Sequence, residues 1–184
     1  MNVTTTTAEA KPTAAKEPAD PRTLDDLAAL GVDALTALYQ RGRATTVTAL
    51  NGTPRCRMLS VRGLDRGPIA TALRRFAAAD VFPWAGKTFS AESDGEGGGI
   101  NRVRLGGERR WFPFKTRVDA SALDGNPCVV LDYGDPANPR LIRAIRDELR
   151  EVAPGLFLGP AMLETGRGAP TLLLYFACDF TALN

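Results

Sequence analysis

The sequence predicts a mainly β protein of α+β type, with helices at the N-terminal end and one helix inserted between late strands. From residue 81 onward, apolar and polar residues alternate with the period of two that is typical of strands. Turn residues interrupt this alternation at intervals of about 8–12 residues, as in antiparallel barrels and sandwiches. Before residue 81, apolar residues mostly recur at helical spacing.

The N-terminal helices are predicted from capping residues and apolar spacing. Thr23 suits the N-cap of a short first helix, because two aspartates follow in its first turn, where the helix dipole favours negative charge. A second helix is predicted over residues 32–41, with Gly42 ending it. A third is predicted over residues 68–79, with Pro68 at its start.

The strands are predicted from alternation between turn signals. Residues 45–61 predict a hairpin, since Asn51-Gly52 supplies the positive φ angles of a tight turn. The glycine-rich stretch 93–99 is predicted to be a flexible turn, because it lacks the ending of a phosphate-binding loop. The further predicted strands are 81–93, 100–105, 109–118, 127–134, 155–163 and 170–180.

The inserted helix is predicted over residues 139–152. Asn138 suits its N-cap and Pro139 its first position, and Leu141, Ile145 and Leu149 lie on one apolar stripe. The opposite side carries a mixed run of charged residues, which predicts a solvated face: Arg140, Arg143, Arg146, Asp147, Glu148, Arg150 and Glu151. We expect this helix to act as a lid.

Length and composition indicate one domain. The chain has 184 residues, of which 44% are hydrophobic and 24% charged, as in an ordinary globular domain. Residues 1–22 predict a disordered tail, because they are rich in Thr, Ala, Pro and Glu and poor in large apolar residues. Residues 23–184 are predicted to form a single barrel domain with its N-terminal helical segment.

The chain contains no histidine. Catalytic triads built on histidine, an imidazole general base and His-ligated zinc sites are therefore excluded. Proton transfer would fall to Asp, Glu, Lys, Tyr or Cys. No motif indicates a cofactor or a metal site.

The three cysteines, Cys56, Cys128 and Cys178, lie far apart and form no C-x-x-C pair. We interpret them as reduced, buried residues of a cytoplasmic protein. No secretory signal is recognisable, and no apolar run reaches the ~20 residues that cross a bilayer. The sequence therefore predicts no membrane partner.

Several short segments resemble a known group of small barrels. Residues 84–89 (WAGKTF) resemble the W-x-G-K-x-F segment of the G-x-W-x-G proteins, a calycin-like group of small bacterial and fungal barrels. Residues 38–46 are similar to the helix and G-R-A-T-T stretch upstream in that group. Residues 130–133 and 157–162 are similar to its later strands, while Leu163 stands where that pattern has Asp.

The resemblance implies an antiparallel lipocalin/calycin-like barrel that holds a ligand. It also implies that Trp84 closes the base of the barrel by packing over a basic side chain. The group as a whole lacks a settled function. Lys87 has two interpretations: it faces solvent, or it points inward and either pairs a carboxylate or acts as a base.

Candidate site residues follow from strand alternation and from side-chain chemistry. Residues 101–118 carry six basic and one acidic residue, a local charge of +5 within a chain of net +2, which an anionic headgroup would complement. Aromatic and aliphatic residues at inward positions would form the walls. The predicted ligand-binding residues are Trp84, Arg102, Arg104, Phe112, Phe114, Leu158 and Met162. The predicted acid–base residues are Lys87, Asp132, Tyr133 and Tyr175.

Three functions remain open from the sequence. The first is binding of a hydrophobic small molecule with a polar or anionic end inside the barrel. The second is a cofactor-free cyclase or isomerase of natural-product biosynthesis that uses the same cavity. The third is a basic surface that binds nucleic acid, which the near-neutral total charge disfavours. The sequence does not indicate an oligomeric state.

Overall fold

The computed structural model describes residues 21–79, 81–166 and 168–181. It contains one antiparallel eight-stranded sheet, which confirms the predicted fold class. The strands are β1 (Arg55–Val61), β2 (Trp84–Ala91), β3 (Glu96–Arg104), β4 (Glu108–Ala120), β5 (Pro127–Asp132), β6 (Ile145–Ala153), β7 (Leu156–Leu163) and β8 (Thr171–Asp179). The helices are α1 (Leu24–Ala28), α2 (Val32–Arg41), α3 (Gly67–Ala78) and α4 (Arg140–Arg143), with a short 3₁₀ helix over Val47–Leu50.

The sheet curls into a nearly closed barrel. Its strand order is β1-β8-β7-β6-β5-β4-β3-β2, so β1 and β2 are the two edges. At the seam between these edges, Gly52 and Phe89 exchange two backbone hydrogen bonds of 3.1 and 2.8 Å. Beside them, the hydroxyls of Thr53 and Thr88 lie 3.1 Å apart. These contacts close the barrel, which removes most of the exposed strand edge.

Two apolar cores lie on opposite faces of the sheet. The inner core fills one end of the barrel, where Phe89, Phe157 and Phe180 pack together. The outer core lies between the N-terminal helices and the barrel, where Leu35 and Tyr39 of α2 pack with Leu158 of β7 and neighbouring residues. The N-terminal helices therefore cover the outside of β1, β7 and β8.

The first half of the predicted hairpin over residues 45–61 is wrong. Residues Val47–Leu50 form the 3₁₀ helix, and only Arg55–Val61 is a strand. Val47 and Leu50 are three residues apart, so they share one side of a 3₁₀ helix, and both are buried in the inner core. This segment plugs the filled end of the barrel.

The predicted helix over residues 139–152 is also corrected. A helix is inserted between β5 and β6, but it is only α4, Arg140–Arg143, and residues Ile145–Ala153 form strand β6. The predicted solvated face is wrong as well, because Asp147, Glu148 and Arg150 are all buried. Asp147 lies on the inner face of the barrel, while Glu148 and Arg150 lie on the outer face beneath α2.

The glycine-rich stretch 93–99 is predicted to be a turn, but its second half is part of a strand. Glu96–Gly99 belong to β3, and the turn comes before them. A Cβ atom at Gly99 would collide with the carbonyl oxygen of Thr88 and with the ring of Phe114. Glycine is therefore required there by the close approach of an aromatic ring to the backbone.

Most of the predicted N-terminal tail is not described by the structure. Of the tail predicted over residues 1–22, residues 1–20 lie outside the described residues.

All three cysteines are free, but β-sheet pairing brings Cys56 and Cys178 together, with their Sγ atoms 3.0 Å apart. No helix within the described ranges has the length and apolar character needed to span a bilayer.

Candidate functional site

A cavity of about 420 Å³ lies inside the barrel, at the end opposite the 3₁₀ plug. Most of its wall is apolar, and the wall residues come from strands on all sides of the barrel together with α4. They include Met58, Val103, Phe112, Ile142, Ile145 and Phe176. Four polar residues also line it: Lys87, Asn101, Tyr133 and Asp147.

Lys87 is the centre of this polar cluster, and its side chain is only 3% exposed. Its Nζ donates to Oδ2 of Asp147 at 2.8 Å, to the hydroxyl of Tyr133 at 2.5 Å and to Oδ1 of Asn101 at 3.0 Å. An ammonium group has three donors, so each of them has a partner. The geometry favours the inward interpretation of Lys87, in which it pairs a carboxylate.

The other members of the cluster hold one another in place. Asn101 accepts a hydrogen bond from Nε1 of Trp84 at 2.9 Å, and its Nδ2 donates to the Tyr133 hydroxyl at 3.1 Å and to the carbonyl oxygen of Phe112 at 3.2 Å. Tyr133 in turn donates its proton to Oδ2 of Asp147 at 2.9 Å. A network in which the members are mutually bonded is rigid.

One atom of the cluster differs from the rest. Oδ1 of Asp147 is buried and accepts no hydrogen bond from any residue in the described part of the chain. Oδ2 of the same carboxylate accepts from both Lys87 and Tyr133. The carboxylate of Asp147 is therefore held through one oxygen, and its other oxygen is buried without a donor among the described residues.

Aromatic rings surround the buried ammonium group. Nζ of Lys87 lies 4.9 Å from the ring centre of Phe176, 5.3 Å from those of Phe114 and Tyr133, and 5.5 Å from that of Trp84. These distances are within the range of cation–π attraction, about 6 Å. Trp84 thus packs beside a basic side chain, and it also lines the cavity.

The pKa values of the cluster follow from burial and charge. Burial by itself would lower the pKa of Lys87, but the carboxylate of Asp147 and the Tyr133 hydroxyl outweigh it, so the pKa lies above its ordinary value of 10.5. Burial, followed by the charge of Asp147, raises the pKa of Tyr133 above its ordinary 10.0. Both shifts favour a charged Lys87 and a protonated Tyr133 at neutral pH, the states in which the hydrogen bonds of the cluster form.

Two backbone irregularities place these side chains. Phe112 has φ of 59° and is the extra residue of a bulge, because Asn101 pairs with Trp111 and Ile100 with Pro113. A left-handed conformation is costly for an aromatic residue, by roughly 1 kcal/mol or more. Here it turns the Phe112 carbonyl toward Asn101 and places the ring on the cavity wall.

Gly86 is the second irregularity. Its φ is +115°, and a Cβ atom there would lie 3.0 Å from Cβ of Cys56 and 3.2 Å from Nη2 of Arg102. Glycine therefore lets β2 approach the β1 edge closely at the seam. Lys87 follows directly and points into the barrel.

The structure brings four of the predicted site residues to the cavity: Trp84, Lys87, Phe112 and Tyr133. Phe114 lies behind them, in the inner core, with its ring near Lys87. The remaining predicted residues do not line the cavity.

The positions predicted for the arginines are wrong. Arg102 lies outside the barrel wall, where its Nη2 donates to the carbonyl oxygens of Pro54 and Ala85 at 3.3 and 3.1 Å. Arg104 is exposed. The strand register places Asn101 and Val103 on the inner face instead, so the arginines of β3 cannot bind a headgroup in the cavity.

Four other predicted residues are also displaced from the cavity. Leu158 and Tyr175 belong to the outer core beneath the N-terminal helices, where Tyr175 donates to the hydroxyl of Thr36 at 2.9 Å. Asp132 is half-exposed and pairs with Arg117 at 2.8 Å. Met162 is fully buried but is not part of the cavity wall.

Sequence reasoning missed Asp147 and Asn101. The sequence pattern predicts Asp147 on the solvated face of a helix, although Ile145, Asp147 and Leu149 alternate as an inner strand face would. That alternation is the signal for an inward Asp147. The alternation in β3 predicts Asn101 on the face opposite the arginines, but the charge of the arginines favours their face for the cavity.

The fold and the cavity together define a class of protein: a small, nearly closed antiparallel barrel of lipocalin/calycin-like form, with a buried polar cluster in its cavity. A solved structure of a protein from Thermomonospora curvata is similar to this chain, with a TM-score of 0.50 and 17% identity, over 82% of this chain and 87% of that chain. Identity this low shows a shared fold alone. No protein-family model and no curated protein matches the chain.

Proposed function

We propose that the barrel binds an apolar small molecule whose polar end lies against the Lys87–Asp147 cluster. The observation that carries the proposal is the cavity itself: about 420 Å³ of space inside the barrel, with apolar walls and one localised group of polar side chains. Ligand sites commonly combine a mostly apolar lining with a few fixed polar groups, and volumes of roughly 300–1,000 Å³ hold a small organic ligand.

The charges in the cavity favour a polar end over an anionic one. Lys87 is the basic residue of the cavity wall, and its charge is balanced by Asp147 at 2.8 Å. The arginines that would have bound an anion lie outside the barrel wall or are exposed. A ligand with a neutral polar group therefore fits the site better than a carboxylate or phosphate.

One observation supports a second candidate, a cofactor-free cyclase or isomerase. Asp147 lines the cavity and its carboxylate can accept a proton, and a Tyr133 hydroxyl that releases its bond to Asp147 can donate to an oxygen atom that gains negative charge. Turnover would need the substrate to reach both groups in the same cavity. Binding is the step that both candidates share.

Native mass spectrometry of the protein purified from its own host tests the proposal. We expect an adduct of a few hundred daltons that dissociates on denaturation, because a ligand of that size fits the cavity. Conversion of the recovered molecule to an isomer of equal mass would favour the enzyme. Purified protein that carries no adduct and binds no apolar fluorescent probe would contradict both, and retention on DNA that falls steeply with salt would favour the nucleic-acid alternative.

A further inference from the structure

Cys56 and Cys178 form a pair of thiols that the sheet holds next to each other. Cys56 on β1 and Cys178 on β8 are directly paired in the antiparallel register, and their Sγ atoms lie 3.0 Å apart. Directly paired residues of antiparallel strands have Cα atoms about 4.5–5.5 Å apart, within the range that a disulfide spans. A disulfide between these two residues therefore requires no rearrangement of the backbone.

The surroundings of the two cysteines differ. Cys178 is fully buried in the inner core, whereas Cys56 is partly exposed and borders an outer groove together with Arg102. On the side of β2, a Cβ atom at Gly86 would lie 3.1 Å from Sγ of Cys56 and 3.2 Å from Nη2 of Arg102. Glycine thus leaves no side chain over the Cys56 sulfur, and the guanidinium group of Arg102 is near it.

The two thiols also differ in acidity. Burial by itself would raise the pKa of Cys56, but hydrogen bonds from Cys178 and from the Lys87 backbone, with the charges of Lys87 and Arg102, outweigh it, so the pKa lies below its ordinary value. Burial, followed by the hydrogen bond with Cys56, raises the pKa of Cys178. Because the thiolate is the nucleophilic form, Cys56 is the thiol that attacks an oxidant, and Cys178 completes the bond.

We propose that Cys56 is a site of oxidation by peroxides and that it then forms a disulfide with Cys178. The Cys56 thiolate attacks one oxygen of hydrogen peroxide, so that an S–O bond forms, the O–O bond breaks and hydroxide leaves. The Cys178 thiol then attacks the Cys56 sulfur, so that the S–S bond forms, the S–O bond breaks and the leaving hydroxide takes the Cys178 proton as water. Two thiols and one peroxide give one disulfide and two water molecules.

The disulfide would fasten the edge strand β1 to β8. The two cysteines are 122 residues apart in the chain, and a cross-link that closes so long a loop restricts the unfolded chain strongly. We expect the oxidised protein to unfold at a temperature at least about 5 °C above that of the reduced protein. The inference goes beyond the proposed ligand binding, because neither cysteine lines the cavity.

Peroxide treatment of the folded, full-length protein tests the proposal. The treated protein is denatured, its free thiols are blocked with iodoacetamide, and its chymotryptic peptides are mapped by mass spectrometry. We expect the Cys56 and Cys178 peptides to be joined, Cys128 to react with iodoacetamide, and dithiothreitol to restore all three free thiols. Thiols that all stay reactive, a bond to Cys128 or to a second chain, or oxidation of Cys56 without a bond to Cys178 would overturn the proposal.

Single variants test the order of the two steps. In Cys178→Ala, peroxide should leave a sulfenic acid at Cys56 that dimedone traps, whereas in Cys56→Ala dimedone should not label Cys178. The matched control is Cys128→Ala, also fully buried, which should form the disulfide and gain thermal stability as the wild type does. Labelling of Cys178 in Cys56→Ala but not of Cys56 in Cys178→Ala would overturn the assignment of Cys56 as the attacking thiol. If Cys178→Ala does not fold, the wild-type peptide map still decides whether the disulfide forms.

Discussion

Lys87 and Asp147 are mutually dependent, because each is a buried charge that the other neutralises at 2.8 Å. We predict that Lys87→Met alone lowers the free energy of unfolding by about 3–5 kcal/mol, since it leaves the Asp147 carboxylate buried and unpaired. The double variant Lys87→Met with Asp147→Leu should recover most of that loss. Urea unfolding at neutral pH measures both. Equal stability of the two variants would contradict the pairing.

The sequence predicts a cavity residue correctly where the side chain suits ligand binding or proton transfer and lies on a strand that the alternation identifies. The residues of this kind that line the cavity are Trp84, Lys87, Phe112 and Tyr133. The arginines of β3 are predicted on the wrong side of the barrel wall, because alternation shows which residues share a face but not which face lies inside. The bulge at Phe112 in β4 has no signal in the local sequence pattern.

At the scale of elements, β6 depends on contacts that are distant in sequence. Glu148 accepts hydrogen bonds from the hydroxyls of Tyr39 at 2.7 Å and Ser121 at 2.6 Å. Arg150 forms a bidentate salt bridge with Asp124, in which both hydrogen bonds are 2.7 Å long. These contacts satisfy charges that are buried between α2 and the barrel. They fix the position of the N-terminal helices on the outer face of the sheet.

Asp124→Asn should weaken this attachment. We predict a loss of about 2–3 kcal/mol at neutral pH, because Arg150 is 1% exposed and would lose its counter-charge while keeping some hydrogen bonds. Urea unfolding gives the loss. Asp119→Asn is the control, since the side chains of Asp119 and its partner Arg117 are both about half-exposed and a surface pair contributes less than about 1 kcal/mol.

The pH dependence of the free energy of unfolding tests the same Asp124–Arg150 pair in a second way. The hydrogen bond from Arg150 lowers the pKa of Asp124 from 3.8 to about 2. Its stabilising contribution is therefore complete above pH 3.8 and is lost as the pH falls toward about 2. The stability curves of wild type and Asp124→Asn should converge there, whereas a constant difference across the acid range would contradict the assignment.

The sequence predicts a helix over residues 139–152, and the part from residue 145 onward is wrong for a physical reason. Ile145, Leu149 and Val152 have helical spacing, and a local window reads charged residues between them as a solvated face. Arg146 pairs with Glu148 locally, but the hydrogen-bond donor Tyr39 and the counter-charge Asp124 lie 109 residues from Glu148 and 26 residues from Arg150 in the chain. Burial of this kind becomes visible only once the chain has folded.

At the scale of the whole molecule, the barrel is packed at one end and hollow at the other. Phe89, Phe157 and Phe180 fill the end closed by the 3₁₀ helix, while the opposite end keeps a cavity of about 420 Å³. A protein selected for stability alone would fill such a space, because burying more apolar surface is favourable. The open space supports the proposed ligand binding, and a larger side chain that fills it should weaken binding while it keeps or raises the stability.

Ala161→Leu fills part of the cavity with a larger side chain, because Ala161 lies on the cavity wall. We predict that the variant keeps its stability or gains up to about 1–2 kcal/mol, and that it binds the neutral fluorescent probe N-phenylnaphthylamine at least about tenfold more weakly. The matched control is Ala177→Leu, which inserts the same side chain into the fully packed outer core and should cost about 1–3 kcal/mol. If both variants lose stability equally and Ala161→Leu binds the probe normally, the barrel has no open cavity in solution and the ligand-binding proposal is wrong.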